Sequence, residues 1–253
     1  MSVLRMIPNT MLALLLLIFG RIVTLLFLRI HVEGEENVPE HGPLIVTANH
    51  FSWFDAPLLT LYLPERPAFL VASESQRFWF VRLYMRAFNG IPIWRGQVDR
   101  QAFQRALYRL REGKAVGIFP EGGIDPRLRE ARLRGEQIND SDYTTHSSRL
   151  DAQLTHPQPG TAYLALWSRA PILPVGLIGT EQILGNILRL RRTHVTMKIG
   201  RAFGPLEMEP TLNRNERRQR MDMMAEEIMM RIAELFPPEN RGPYSQIGVH
   251  PGL

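Results

Sequence analysis

The chain contains no cysteine and only two lysines, Lys114 and Lys198, and no acidic residue precedes Glu33. Without cysteine there are no disulfides, no thiolate nucleophile and no cysteine-ligated zinc. The lack of lysine makes 28 of the 30 basic residues arginine, whose planar guanidinium grips phosphate in a fork and keeps its charge when partly buried. Acids are interspersed with these arginines, and no basic run interleaved with aromatics is present, which argues against a nucleic-acid partner. The seven histidines show no His-x3-His or comparable ligand spacing, so no metal centre is expected.

What the N-terminus lacks in acid it has in leucine. Met11 to Leu28 reads MLALLLLIFGRIVTLLFL. Eighteen helical residues would extend roughly 27 Å, just short of a ~30 Å hydrocarbon core. Arg21 near the middle would cost about 2.5–3.5 kcal/mol at the bilayer centre. The segment therefore reads as a membrane helix, either spanning or lying in the interface with Arg21 snorkelling to lipid phosphate. Arg5, Arg21 and Arg29 suit an anionic cytoplasmic leaflet. A signal peptide would need a small-residue cleavage site, whereas this run passes straight into a strand-like Phe27–Glu33. Residues 1–30 form a membrane-associating segment on this reading, and 31–253 a second unit.

That second unit alternates short apolar runs with helical periods. Leu44–Ala48, Phe69–Ala72, Ile91–Trp94, Ala115–Phe119, Pro171–Ile178 and Val195–Ile199 read as strands. Helical patterns cover Ser52–Leu63, Glu74–Phe88, a stretch N-capped by Asp99 and closed by Gly113, and Thr161–Arg169. A last helix opens at Asn213, with Glu216 completing a capping box, and ends before Pro237. Alternation of this kind predicts an α/β fold with a largely parallel central sheet flanked by helices. Residues 123–159 break the rhythm: this stretch is polar, holds eleven charged residues and follows neither period. It is expected to form a long loop, with a polar insertion at about 124–158.

Three segments carry chemistry. His50 follows a strand, and Asp55 lies where a helix begins, close enough to hold one ring nitrogen and leave the other as a base. Gly90-Ile-Pro-Ile-Trp-Arg95 places an arginine after a strand, suited to phosphate. Phe119-Pro-Glu-Gly-Gly123 also follows a strand, at the end where α/β proteins bind ligands, with Glu121 able to accept polyol hydroxyls. Taken alone, each has an ordinary alternative: a capped turn, a solvated arginine, a Pro-Gly turn.

In order, His-x4-Asp, Gly-x-Pro-x-x-Arg, Phe-Pro-Glu-Gly and the strand Pro171-Ile-Leu-Pro-Val175 resemble the PlsC-like glycerolipid acyltransferase family, from about Val32 to Tyr244. The resemblance implies an O-acyltransferase in which His50 is the catalytic base and Asp55 orients it. Arg95 would contact phosphate, and Glu121, Gly122 and Gly123 would belong to the acceptor site. Pro174 would line the acyl-donor side. It implies a thioester donor, acyl-CoA or acyl carrier protein, with no cofactor. The acceptor would be a lysolipid, foremost 1-acyl-glycerol-3-phosphate, on the cytoplasmic side of the cell membrane. The family usually continues Phe-Pro-Glu-Gly with a hydroxyl residue and an arginine; this chain has Gly123 and Ile124. That loss of a cation leaves open another lysolipid or a glycolipid as acceptor, and a hydrolase using the same pair on water is the rival chemistry.

Overall fold

The computed structural model describes residues 9–94, 99–125 and 148–246. Seven strands, β1 (Leu28–Glu33), β2 (Leu44–Ala48), β3 (Ala68–Ala72), β4 (Ile91–Ile93), β5 (Ala115–Ile118), β6 (Ile172–Ile178) and β7 (Thr193–Ile199), form one sheet in the order β1-β7-β6-β2-β5-β3-β4. All neighbouring pairs are parallel except β6 with β7. The sheet is thus mixed but mostly parallel, as the alternating pattern predicts.

Helices cover both faces. On one lie α1 (Asn9–Phe27), α2 (Asp55–Tyr62), α3 (Trp79–Phe88) and α6 (Ile183–Leu188); on the other lie α4 (Arg100–Arg111), α5 (Gly160–Ser168) and α7 (Arg214–Ala233). Because strand side chains alternate, each strand feeds two cores. In β2, Leu44, Val46 and Ala48 join the α2 side, while Ile45 packs toward α4 and α7. Strands buried on both faces are apolar throughout, which is why β2 and β6 read as unbroken runs.

The expected caps form. Asp99 accepts from the N–H of Ala102 and of Trp94, both at 3.0 Å, and so ties the end of β4 to the start of α4. Asn213 and Glu216 make the reciprocal capping box at the start of α7. Three expectations shift. The helix expected from Ser52 starts at Asp55, because Ser52 is drawn into a bridge with Ser148. The stretch from Glu74 opens as a 3-10 turn, Ser73–Arg77, before α3. The short α6 has no counterpart in the sequence reading, since Gly185 and Asn186 interrupt any apolar period.

α1 has two apolar sides. One packs on α2 and α3, where Leu61 closes on Gly20, 3.0 Å from where a β-carbon would stand. The outward positions Leu14, Leu15, Ile18, Phe19, Ile22, Leu25 and Leu26 are all exposed. By length and composition this helix is able to cross a membrane. Arg21 does not stand out on that face alone: its guanidinium donates to the carbonyl of Leu61 at 2.6 Å and lies over the Tyr62 ring. At the helix C-terminus Arg192 donates to the carbonyls of Leu25 and Leu26, satisfying two of the groups a helix end leaves open.

Candidate active site

The segment after β2 is held at both ends. Asn49, fully buried, donates to the carbonyl of Leu177 at 2.8 Å and accepts from its N–H at 2.7 Å. Its amide thereby mimics a strand residue and prolongs the pairing of β2 with β6 past Ala48. The next residue, His50, is aimed over the C-terminal edge of the sheet. Its Nδ1 lies 3.0 Å from Oδ2 of Asp55. The same oxygen accepts from the N–H of Phe51 at 2.8 Å and of Ser52 at 2.7 Å. Three donors on one buried oxygen suit an ionised carboxylate. With Nδ1–H donating, the neutral ring keeps its Nε2 lone pair free. The N–H groups of Phe51 and Ser52 are spent on Asp55, so these two are not the oxyanion donors that the start of a helix would offer.

Ring stacking fixes the plane of the imidazole. His50 lies on Phe119 with centroids 4.0 Å apart and planes 10° from parallel, and Phe119 lies in turn on Phe69 at 5.2 Å. Gly117 makes room for the stack: a β-carbon there would meet the Phe69 ring at 2.4 Å.

The Phe-Pro-Glu-Gly turn closes with Gly122 at φ 77° and its N–H on the carbonyl of Phe119, 3.1 Å away. Glu121 is buried. One oxygen accepts from the backbone N–H of His50 at 2.9 Å. The other accepts from the N–H of Thr155 at 3.1 Å, from its hydroxyl at 2.8 Å, and from the guanidinium of Arg149. The sequence suggested substrate hydroxyls for this carboxylate; in the structure protein donors occupy both its oxygens, and it ties His50 to Arg149 and Thr155 in the C-terminal part of the insertion.

A cavity of about 1010 Å³ opens at His50. It takes residues from both faces of the β3 edge. Trp53, Pro57, Phe80 and Tyr84 line the side toward α2 and α3; Ile93, Phe103, Leu107 and Tyr163 line the side toward α4 and α5. Most of these walls are apolar. Tyr84 donates to or accepts from the Thr60 hydroxyl at 2.7 Å, and burial pushes its phenol well above the usual tyrosine range, an effect that hydrogen bond offsets only in part. Gly122, Gly123 and buried Ile124 lie on the wall near His50. Arg100 and Gln104, one turn apart on α4, line it too. The sequence reading missed Arg100 because one arginine among 28 carries no signal. Pro174 is elsewhere: it is buried within β6 beside Thr47, and the cavity lining does not include it. It stands one residue before the antiparallel ladder with β7 begins, at Val175. Arg95 lies outside the described residues, as does most of the insertion.

An α/β sheet carrying His-x4-Asp and Phe-Pro-Glu-Gly at one edge, over an apolar cavity, has the architecture of a lipid acyltransferase. A family model described as acyltransferase matches residues 29–178, more than half of the chain. The chain belongs to this acyltransferase family and is PlsC-like. It is 33% identical over 98 residues to the 1-acyl-sn-glycerol-3-phosphate acyltransferase of Borreliella burgdorferi, covering 38% of this chain and 39% of that protein. It is 26% identical over 174 residues to the lyso-ornithine lipid O-acyltransferase of Pseudomonas aeruginosa, covering 68% of this chain and 62% of that protein. The crystal structure of the 1-acyl-sn-glycerophosphate (LPA) acyltransferase PlsC from Thermotoga maritima matches with a TM-score of 0.55 at 26% identity, over 85% of this chain and 78% of that one. The aligned regions thus span about two fifths of the Borreliella protein and 62% of the Pseudomonas protein.

Proposed function

We propose that this protein transfers a fatty acyl group from a thioester, acyl-CoA or acyl carrier protein, to a hydroxyl of a lysolipid, foremost 1-acyl-glycerol-3-phosphate. The observation that carries this reading is His50, held through Nδ1 by Asp55, at the head of a mostly apolar cavity of about 1010 Å³. Nε2 takes the proton of the acceptor hydroxyl as its oxygen attacks the thioester carbonyl carbon. The tetrahedral intermediate collapses, the C–S bond breaks, and the imidazolium returns the proton to the departing thiolate. Asp55 keeps the ring in one tautomer and favours the imidazolium while it lasts. The apolar walls take acyl chain. Among the described residues, Arg100 is the one arginine on the cavity wall, and it serves the acceptor phosphate together with Arg95, whose role follows from its motif. The outward leucines and isoleucines of α1 attach the protein to the membrane, with the site on the cytoplasmic side.

A second acceptor class has specific support. Where relatives of this family carry a cation after Phe-Pro-Glu-Gly, this chain places Gly123 and the buried Ile124 on the cavity wall. A lysolipid without a terminal phosphate, such as lyso-ornithine lipid, needs less positive charge there. The full-length protein in lipid vesicles, given labelled acyl-CoA and acyl carrier protein with a panel of lysolipids, decides between them. Acylated product with the wild type and none with His50→Ala supports transfer. Free fatty acid as the sole product would assign a hydrolase instead, and full activity of His50→Ala would sink the mechanism.

A further inference from the structure

We infer that Arg149, which reaches the site from beyond the 126–147 segment, is a positioning residue that sets the height of the His50 ring. The inference rests on the acyl-transfer reading and on contacts that no shared motif predicts. Arg149 is 5% exposed, and its guanidinium donates to three backbone carbonyls and one carboxylate. Nε donates to the carbonyl of Ile124 at 2.6 Å, and Nη2 to that of Gly123 at 2.8 Å. Nη1 donates to the carbonyl of Gln153 at 2.9 Å and to the Glu121 carboxylate. One side chain therefore grips Phe-Pro-Glu-Gly-Gly-Ile at three points.

Its backbone grips the other motif. The N–H of Arg149 donates to the carbonyl of Phe51 at 2.7 Å, beside the bridge of Ser148 with Ser52. The guanidinium also lies over the Phe51 ring, 5.4 Å from its centroid. Arg149 thus adds a second tie between Phe51, next to the imidazole in sequence, and the turn that flanks it in space, beside the direct contact of Glu121 with the His50 N–H. Phe119, on which the ring is stacked, and Glu121, which holds the His50 N–H, stand two residues apart in the same turn. Releasing Arg149 leaves the turn and the 50–52 segment linked only by the Glu121 contact with the His50 N–H and by the ring stack, free to shift against each other. A misplacement of about 1 Å in a reacting group costs on the order of 10²-fold in rate. The cavity lining does not include Arg149, so its action is expected to run through the Glu121 turn and Phe51.

The test compares Arg149→Met, Arg149→Lys and a core variant outside the Arg149 contacts, Met224→Ala, in the full-length protein in lipid vesicles. Met224 is buried at the α7 face and serves as a control for general loss of stability. We expect Arg149→Met to lower kcat by about 10²-fold, with both KM values within about twofold, whereas Met224→Ala keeps kcat per folded molecule. Arg149→Lys, which keeps the charge but cannot reach three carbonyls, falls between and covers the case in which the methionine variant does not fold. The second readout is the His50 ring resonance in histidine-labelled protein, assigned by its absence from His50→Ala. It shifts in both Arg149 variants and stays in place in Met224→Ala. A KM rise at unchanged kcat, a kcat loss no larger than the control's, or an unmoved ring resonance overturns the inference. Because the resonance needs no substrate, a failure of the acyl-transfer reading remains distinguishable from a failure of this one.

Discussion

Asp55 and Glu121 are both buried carboxylates, and both hold the backbone of the segment that begins at Asn49, yet they do different work. Asp55 sits five residues from His50 and touches its ring; Glu121 comes from the turn after β5 and touches only its N–H. Asp55 places its donors within one local turn. Glu121 draws on three residues from two distant parts of the chain, and its charge is met by a guanidinium rather than by the imidazole. On the proposed mechanism a shared motif can mark a residue for chemistry or for shape, according to the partner of its carboxylate.

The largest expected effect separates the two. Asp55→Asn retains the volume but replaces an acceptor with an amide, which no longer favours the imidazolium and offers the ring the wrong tautomer. We expect kcat to fall by about 10³–10⁴-fold with KM little changed, and melting temperature to change modestly, measured by steady-state transfer and thermal unfolding. Retained turnover would move Asp55 into the same supporting role as Glu121.

Glu121→Gln comes next. It keeps an acceptor for the His50 N–H but leaves the Arg149 guanidinium buried without its counter-charge, so stability drops by about 3 kcal/mol, seen in denaturant unfolding. Activity per folded molecule falls through kcat, by about tenfold to a hundredfold. If instead KM for the acceptor rose at constant kcat, Glu121 would be a substrate ligand, as its motif alone implies.

Why one carboxylate was legible in the sequence and the other was not follows from distance along the chain. His50 and Asp55 are five residues apart, across the tight turn that leads into α2, and their spacing alone admits the contact. The parallel strands were equally readable, because burial on both faces makes them continuous apolar runs, and both caps, at Asp99 and Asn213, rest on local spacing. Glu121 finds its partner 28 residues on, across a polar stretch with no period to place it. Pro174 was assigned to the acyl-donor side by its motif, but it is buried within β6, its ring beside Gly200, and the cavity lining does not include it. Arg100 was hidden by abundance, and α6 by Gly185 and Asn186.

Arg100 supplies the contrast that sharpens the Glu121 result. It lines the cavity and is exposed, so its removal leaves the fold intact. Arg100→Ala is expected to raise KM for 1-acyl-glycerol-3-phosphate by about tenfold at unchanged kcat, since an exposed charge-assisted contact is worth at most a few kcal/mol and solvent screens part of it. With a lysolipid lacking the terminal phosphate the same variant behaves as wild type. A uniform effect on both acceptors would remove Arg100 from headgroup recognition.

Thr155→Val is the smallest step and tests how finely the Glu121 side is tuned. The hydroxyl donates to Glu121 at 2.8 Å, and the N–H of Thr155 donates to the same oxygen at 3.1 Å, so valine removes one bond and leaves its neighbour. The shape is nearly preserved, and the carboxylate still has Arg149 and two backbone N–H groups. A lost hydrogen bond with one partner still buried costs about 1–2 kcal/mol, which sets the expected loss of stability. Turnover then changes by less than about threefold, because His50 keeps both its ring contact with Asp55 and its N–H contact with Glu121. A loss of the size expected for Glu121→Gln would mean that the hydroxyl, not the arginine, holds the carboxylate in register. The bracing of the histidine would then run through the far end of the insertion, at Thr155, and not through Arg149.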